Sequence, residues 1–192
     1  MTPTTPLTPR QRQLFDALLT QFLKNGFATF TIDSAARELH CSKSTMYSLG
    51  ATRDEIIRRI LVSFFKEVTR RTDAQLTHNT SPKVALERYF TAMSAALEPA
   101  SLAFLRDLST VEVAREIYAT NTQAATEKIT NLIERGVAEG EFRTVNSSFL
   151  AHLISAAMQH IQTSAATPEV NAVDAYRELG QLVIYGLYSE VA

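Results

Sequence analysis

Residues 39–55 read LHCSKSTMYSLGATRDE, gathering the single cysteine of the chain with a histidine, several hydroxyls and a tyrosine. As covalent chemistry the group is weak. A nucleophilic thiol needs a depressed pKa, partial exposure and an oriented base, and neighbours in a turn do not point at each other. Read by helical spacing, the same residues separate. Thr31 can cap a short helix over IDSAAREL, and Ser42 can cap a second over KSTMYSL, which Gly50 breaks. Ala35, Ala36 and Leu39 share one face, Cys41 falls in the turn, and Met46 and Leu49 are three apart. Those six close a small core. Lys43, Ser44, Tyr47 and Ser48 are left pointing outward, with Thr45 partly so.

The flanks support a helical corner. Leu14, Phe15, Leu18, Leu19, Phe22 and Leu23 fall on one face of a helix that starts after Pro9 and runs to about Lys24. Asn25-Gly26 ends it, as a left-handed cap would. Thr52-Arg53-Asp54-Glu55 is a capping box opening a long helix whose apolar face is Ile56, Ile57, Ile60, Leu61, Phe64, Phe65 and Val68. Two short helices joined by a tight turn behind a supporting helix describe a helix-turn-helix.

Beyond it the periodicity stays helical. THNTSPK, residues 77–83, is the best boundary, with residues 52–76 as a connecting helix. Further helices are expected over about 82–97, 101–108 and 111–139, then from an Asn146-Ser147 cap, and last over about 170–190. Six glycines and six prolines in 192 residues are few breakers. The final helix is apolar over more than one stripe, through Leu182, Val183, Ile184, Tyr185, Leu187 and Tyr188. Such a helix is buried from two sides, so the last two helices are expected to form a homodimer.

Composition excludes several classes. Hydrophobic content of 45% and charged content of 20% are ordinary for a folded soluble protein. The opening MTPTTPLTPRQRQ lacks a signal-peptide core, and no apolar run is long enough to span a bilayer. One cysteine makes no internal disulfide. These features predict a soluble cytoplasmic protein with no membrane partner. The net charge is only −1, but residues 1–71 hold 11 Lys/Arg against 6 Asp/Glu, whereas the remainder holds 8 against 14. A basic module on an acidic body hints at nucleic acid. Lys, Ser, Thr and Tyr reach phosphates and base edges, Arg10 and Arg12 enrich the arm, and free N–H groups at the start of the second short helix favour anions.

From about Arg12 to Ile60 the chain resembles the DNA-binding domain of the TetR/AcrR family of transcriptional regulators. The matching pieces are a first helix ending in KNGF, then TFTIDSAA, then CSKSTMY followed by TRDEII, with Phe27, Thr31, Ser42, Thr45, Tyr47, Arg53 and Asp54 in place or conservatively replaced. Three positions depart: His40 stands where the family has a turn glycine, Ser44 where glycine is common, and Leu49-Gly50 replaces an aromatic pair. The resemblance implies an all-α homodimer with an N-terminal helix-turn-helix domain (residues 1–50) and a C-terminal effector-binding and dimerisation domain (residues 51–192). It implies a repressor on a near-palindromic double-stranded operator, half-sites about one helical turn apart, released by a small-molecule ligand. Lys43, Ser44, Tyr47 and Ser48 are then the DNA contacts and Thr31, Thr45 and Arg53 the phosphate anchors, while Thr31 and Ser42 could serve only as caps. Tyr89, Phe90, Met93, Phe104, Tyr118 and Met158 are candidate lining for an apolar or amphipathic effector, or simply core.

Other chemistry is poorly supported. His152 and His160 lie two turns apart and out of line, too far to share an ion. Glu112 and Glu116 are i, i+4, but no Glu-x-x-His accompanies them. No cofactor, metal site or catalytic set is expected. The competing functions are a dimeric interaction protein that has lost DNA reading, supported by His40 and Leu49-Gly50, and a helical enzyme.

Overall fold

A computed structural model describes residues 8–76, 80–164 and 172–187. Thr77 to Asn79 of the expected boundary, the first seven residues, and both ends of the expected last helix lie outside the described residues. Those described form helices α1 (Pro9–Asn25), α2 (Ile32–Glu38), α3 (Lys43–Tyr47), α4 (Arg53–Asp73), α5 (Pro82–Leu97), α6 (Leu102–Thr110), α7 (Glu112–Ala138), α8 (Ser147–Ser164) and α9 (Ala172–Leu187).

The caps are local and mostly as expected. Thr8, Thr31, Ser42, Thr52, Ser81 and Ser101 each accept a backbone N–H at the start of their helix, satisfying an otherwise orphaned donor. The box at Thr52 differs in one bond: the Glu55 carboxylate accepts from Ala51 N at 2.7 Å, one residue before the cap. Gly26 ends α1 with a positive φ of 77°, but its ψ of −175° is extended rather than left-handed helical, a region open essentially to glycine.

α1 to α3 pack around Leu18, Phe22, Met46 and Leu49, all within 2% of full burial. α4 leaves this unit and packs on α5 and α7, α5 runs against α9, and α7 against α8. α6 sits between α1 and the α7–α8 pair. The two parts share one aromatic seam. Ring centroids step from Phe22 to Phe27 (5.4 Å), Phe104 (5.6 Å), Phe64 (5.4 Å), Phe65 (5.2 Å) and Tyr118 (6.0 Å). No helix among the described residues is long and apolar enough to cross a membrane.

Candidate nucleic-acid interface and ligand cavity

α3 is held by its inward side chains and its ends. Met46 is fully buried and Leu49 is 2% exposed. Cys41 is half-buried against the same core. Arg59 of α4 donates to the Leu49 carbonyl at 3.1 Å. Gly50 lets the chain pass tightly into α4, since a Cβ there would lie 2.9 Å from Ile56 N. The Leu49-Gly50 departure therefore gives a close junction. His40 takes φ of +49°, the left-handed turn that its position demands and that glycine would enter without cost.

The outer face carries the polar groups. Lys43, Ser44 and Ser48 are exposed, and Tyr47 is 49% exposed although it is a large ring. Lys43 Nζ meets the Asp33 carboxylate of α2 at 2.9 Å, and this hydrogen bond and charge hold the ammonium pKa above its ordinary value. Ser48 Oγ donates to the Thr45 carbonyl at 2.7 Å. Ser42 Oγ accepts from Thr45 N at 3.1 Å, with the two hydroxyls 2.8 Å apart. Thr31 Oγ1 accepts from Ser34 N at 3.1 Å. Thr31 and Ser42 are thus caps in this geometry, and Thr45 is half-buried.

Arg53 is placed differently from its expected role. Its guanidinium donates to the carbonyls of Phe30 (2.8 Å), Ala28 (2.8 Å) and Phe27 (3.2 Å), and to Asp54 (2.9 Å). Most of its donors are spent on the loop between α1 and α2. The same loop is gripped from the other side by a residue that helical spacing did not single out. Asp107 of α6, 3% exposed, accepts from Phe27 N at 2.5 Å and Ala28 N at 2.7 Å. Its Oδ2 lies 2.5 Å from where a Gly26 Cβ would stand. A buried aspartate following an apolar helix face was the available signal, but its partner lies 80 residues away.

In the C-terminal body, four of the six expected lining residues converge. Tyr89, Met93, Tyr118 and Met158 surround a narrow cavity of about 40 Å³ together with Phe65 and Tyr176. The Tyr118 and Tyr176 hydroxyls are 2.8 Å apart, and Tyr118 Oη is 3.4 Å from the Met158 carbonyl. Burial pushes Tyr89 up to about 12 and raises Tyr118 and Tyr176 as well, and Lys128, paired with Asp73, is the one charged residue of the lining. Phe90 lies elsewhere, pressed on Gly180 where a Cβ would approach its ring at 2.7 Å. Phe104 is fully buried between Phe27 and Phe64. Phe104 is a packing residue in this geometry, whereas Phe90 lines a separate groove of about 830 Å³ between α5 and α9 with Glu87, Arg177 and Tyr185. Among the described residues no group of three or more His, Cys, Asp or Glu side chains could hold a metal.

An open groove of about 510 Å³ adjoins the cavity between α4 and α7 and shares Phe65, Thr69, Asn121 and Ala124 with it. Four of the large apolar side chains left exposed are Phe149 and Leu153 on α8 and Leu182 and Tyr185 on α9.

No family model matches the sequence. The uncharacterized HTH-type transcriptional regulator YfiR of Bacillus subtilis (strain 168) is 23% identical over 143 residues, which is 71% of this chain and 69% of that protein. The TetR family transcriptional regulator PfmR from Thermus thermophilus superposes with a TM-score of 0.66 at 20% identity, covering 92% of this chain and 100% of that one. A TetR family regulator from Agrobacterium tumefaciens gives 0.74 at 11% identity, covering 94% and 98%. The chain has the fold of the TetR-family transcriptional regulators.

Proposed function

We propose that this protein is a DNA-binding transcriptional repressor that works as a homodimer and is released from its operator by a small-molecule ligand. The observation that carries the reading is the division of α3. Met46 and Leu49 lock it to the core, while Lys43, Ser44, Tyr47 and Ser48 stand in solvent on one side. Buried anchors with exposed donors are what a recognition helix needs to enter a major groove in fixed register. The basic excess of residues 1–71 supplies the phosphate attraction. One five-residue helix makes too few contacts to hold DNA alone, so two copies joined through α8 and α9 present a pair of reading heads.

Thr31, Ser42 and Thr45 are assigned to the phosphate edge through their caps. Arg53 shapes that edge by holding the loop carbonyls, its remaining donor capacity facing the backbone. Release follows from the α4 and α6 attachments. Both helices touch the body and both grip the 27–30 loop, so a ligand that binds better to one placement of α4 changes the separation of the heads.

The test is a titration against DNA from upstream of the protein's own gene, across a salt series. Tight, sequence-selective binding with a steep salt slope is expected. Lys43→Ala with Tyr47→Ala removes operator binding and leaves the dimer intact. Equal affinity for that DNA and for random DNA, or silence of both substitutions, overturns the assignment.

A further inference from the structure

We propose that the α4–α7 groove binds a monoanionic amphiphile, whose anionic head replaces Glu116 as the partner of Arg58 and whose apolar body lies over Val62 and Phe65 toward the tyrosine cavity. The proposal deepens the ligand-release reading and rests on it. The narrow cavity, at about 40 Å³, has room for only a few waters and cannot hold an effector by itself. The adjoining groove, at about 510 Å³, lies within the range of small-molecule sites. Because the two share Phe65, Thr69, Asn121 and Ala124, they form one site with a wide outer part and a narrow inner end.

The outer part carries cations along its length with apolar residues between them. At one end Arg58 pairs with Glu116 at 3.0 Å, both side chains at least half exposed. Lys66, next to Phe65 and about 12 Å from Arg58 along α4, lines the same groove and has no ion pair among the described residues. The two cations outnumber the single carboxylate. Val62, Phe65, Ile117 and Ala124 supply the apolar wall, and the inner end adds the tyrosine cluster and Lys128, which is itself paired with Asp73. From Arg58 to Phe65 the rise along α4 is about 10 Å at ~1.5 Å per residue, the span of a medium-length alkyl chain. An exposed ion pair such as Arg58–Glu116 stabilises little, so a ligand carboxylate can displace it at small cost. The displaced contact is a tie between α4 and α7, and α4 is the helix that carries Arg53 and Arg59 against the reading head. Binding at this groove therefore acts on α4 directly.

The probe is decanoate below its micelle concentration, titrated by calorimetry into the free full-length protein, with decanol and decyltrimethylammonium as matched neutral and cationic chains. Saturable binding of one decanoate per protomer is expected, with decanol weaker by about tenfold or more, the value of a charge-assisted contact. Arg58→Gln with Lys66→Gln brings decanoate down to the decanol level while decanol is unchanged, and Glu116→Gln strengthens decanoate by removing its competitor. All three positions are on the surface, and a melting curve on each variant confirms that it folds. Equal binding of decanoate and decanol, preference for the cationic chain, or indifference of decanoate to the double substitution overturns the proposal. Binding is read without DNA. A protein that takes decanoate as described but ignores its operator overturns the repressor reading and leaves the groove assignment standing.

Discussion

At the scale of the residue, a charged group here is best understood by which partner it already has. Lys43 is the strongest cation on the outer face of α3, yet it meets Asp33 at 2.9 Å. Both side chains are exposed, so the pair is screened and holds Lys43 only weakly. Asp33→Asn releases the ammonium to DNA and removes a nearby negative charge. Operator affinity is expected to rise about two- to fivefold at low salt, with the gain fading as salt is added; adding Lys43→Ala to the same protein should erase it. A mobility-shift titration of the four variants reads the cycle, and a gain that persists without Lys43 would assign the effect to Asp33 alone. Asp107 is the opposite case. It is buried and serves two backbone N–H groups, so Asp107→Ala leaves both donors without their acceptor. The expected loss is about 2–4 kcal/mol, read as a lower melting temperature together with faster hydrogen exchange at the Phe27 and Ala28 amides. Unchanged protection at those two amides would count against the latch.

At the scale of the element, the starts of α2, α3 and α4 were legible because capping is a matter of three or four consecutive residues. Thr31, Ser42 and Thr52 name their own partners through spacing alone. The inward and outward faces of α3 were legible for the same reason, and so was the strained turn at His40, which any L-residue must enter at positive φ. Contacts between elements were not. Arg53 follows a cap and looks like a phosphate anchor by position, but its targets are loop carbonyls more than twenty residues upstream. Phe90 and Phe104 have the spacing of cavity residues, but the packing of α5 on α9 sets Phe90 in a separate groove, and that of α6 on α1 buries Phe104. Gly26 is the helix cap its position implies, with its N–H on the Phe22 carbonyl, but its extended ψ and the Asp107 oxygen beside it add a close approach that spacing could not give. The tyrosine cluster of α5, α7 and α9 carries its own prediction. Burial raises Tyr89 to about 12 from the ordinary 10.0, and raises Tyr118 and Tyr176 too. The folded state therefore keeps protons that the unfolded chain gives up. The stability the neutral phenols confer is whole below about pH 10 and declines as pH climbs toward 12. Melting temperatures across that window should fall, and the double variant Tyr118→Phe, Tyr176→Phe should fall less steeply.

At the scale of the whole molecule, an acidic body and a basic head are joined through a seam of aromatic rings and two backbone clamps, and the body keeps an apolar face uncovered. Phe149 and Leu153 are one turn apart on α8, and Leu182 and Tyr185 are three apart on α9, so each pair lies on a single helix face. They are 62%, 50%, 71% and 72% exposed, which is unusual for four large apolar side chains on two helices that pack together. Sequence periodicity had already marked α9 as apolar on more than one side, and the second side is the one left open here. Covering Leu182 and Tyr185 in a two-fold pair removes two such side chains per protomer from water, worth roughly 1.5–3 kcal/mol each before association costs are subtracted. Replacing both with Glu places like charges across the axis and withdraws that contribution. Because both are exposed within the protomer, the substitutions leave its core untouched, and the helical circular dichroism should stay the same. Sedimentation is expected to shift from dimer to monomer, and operator affinity to fall by orders of magnitude while weak, salt-dependent binding to random DNA persists. A double variant that still sediments as a dimer would move the interface away from α9. One that sediments as a monomer and still reads its operator would break the link between pairing of the bodies and spacing of the heads.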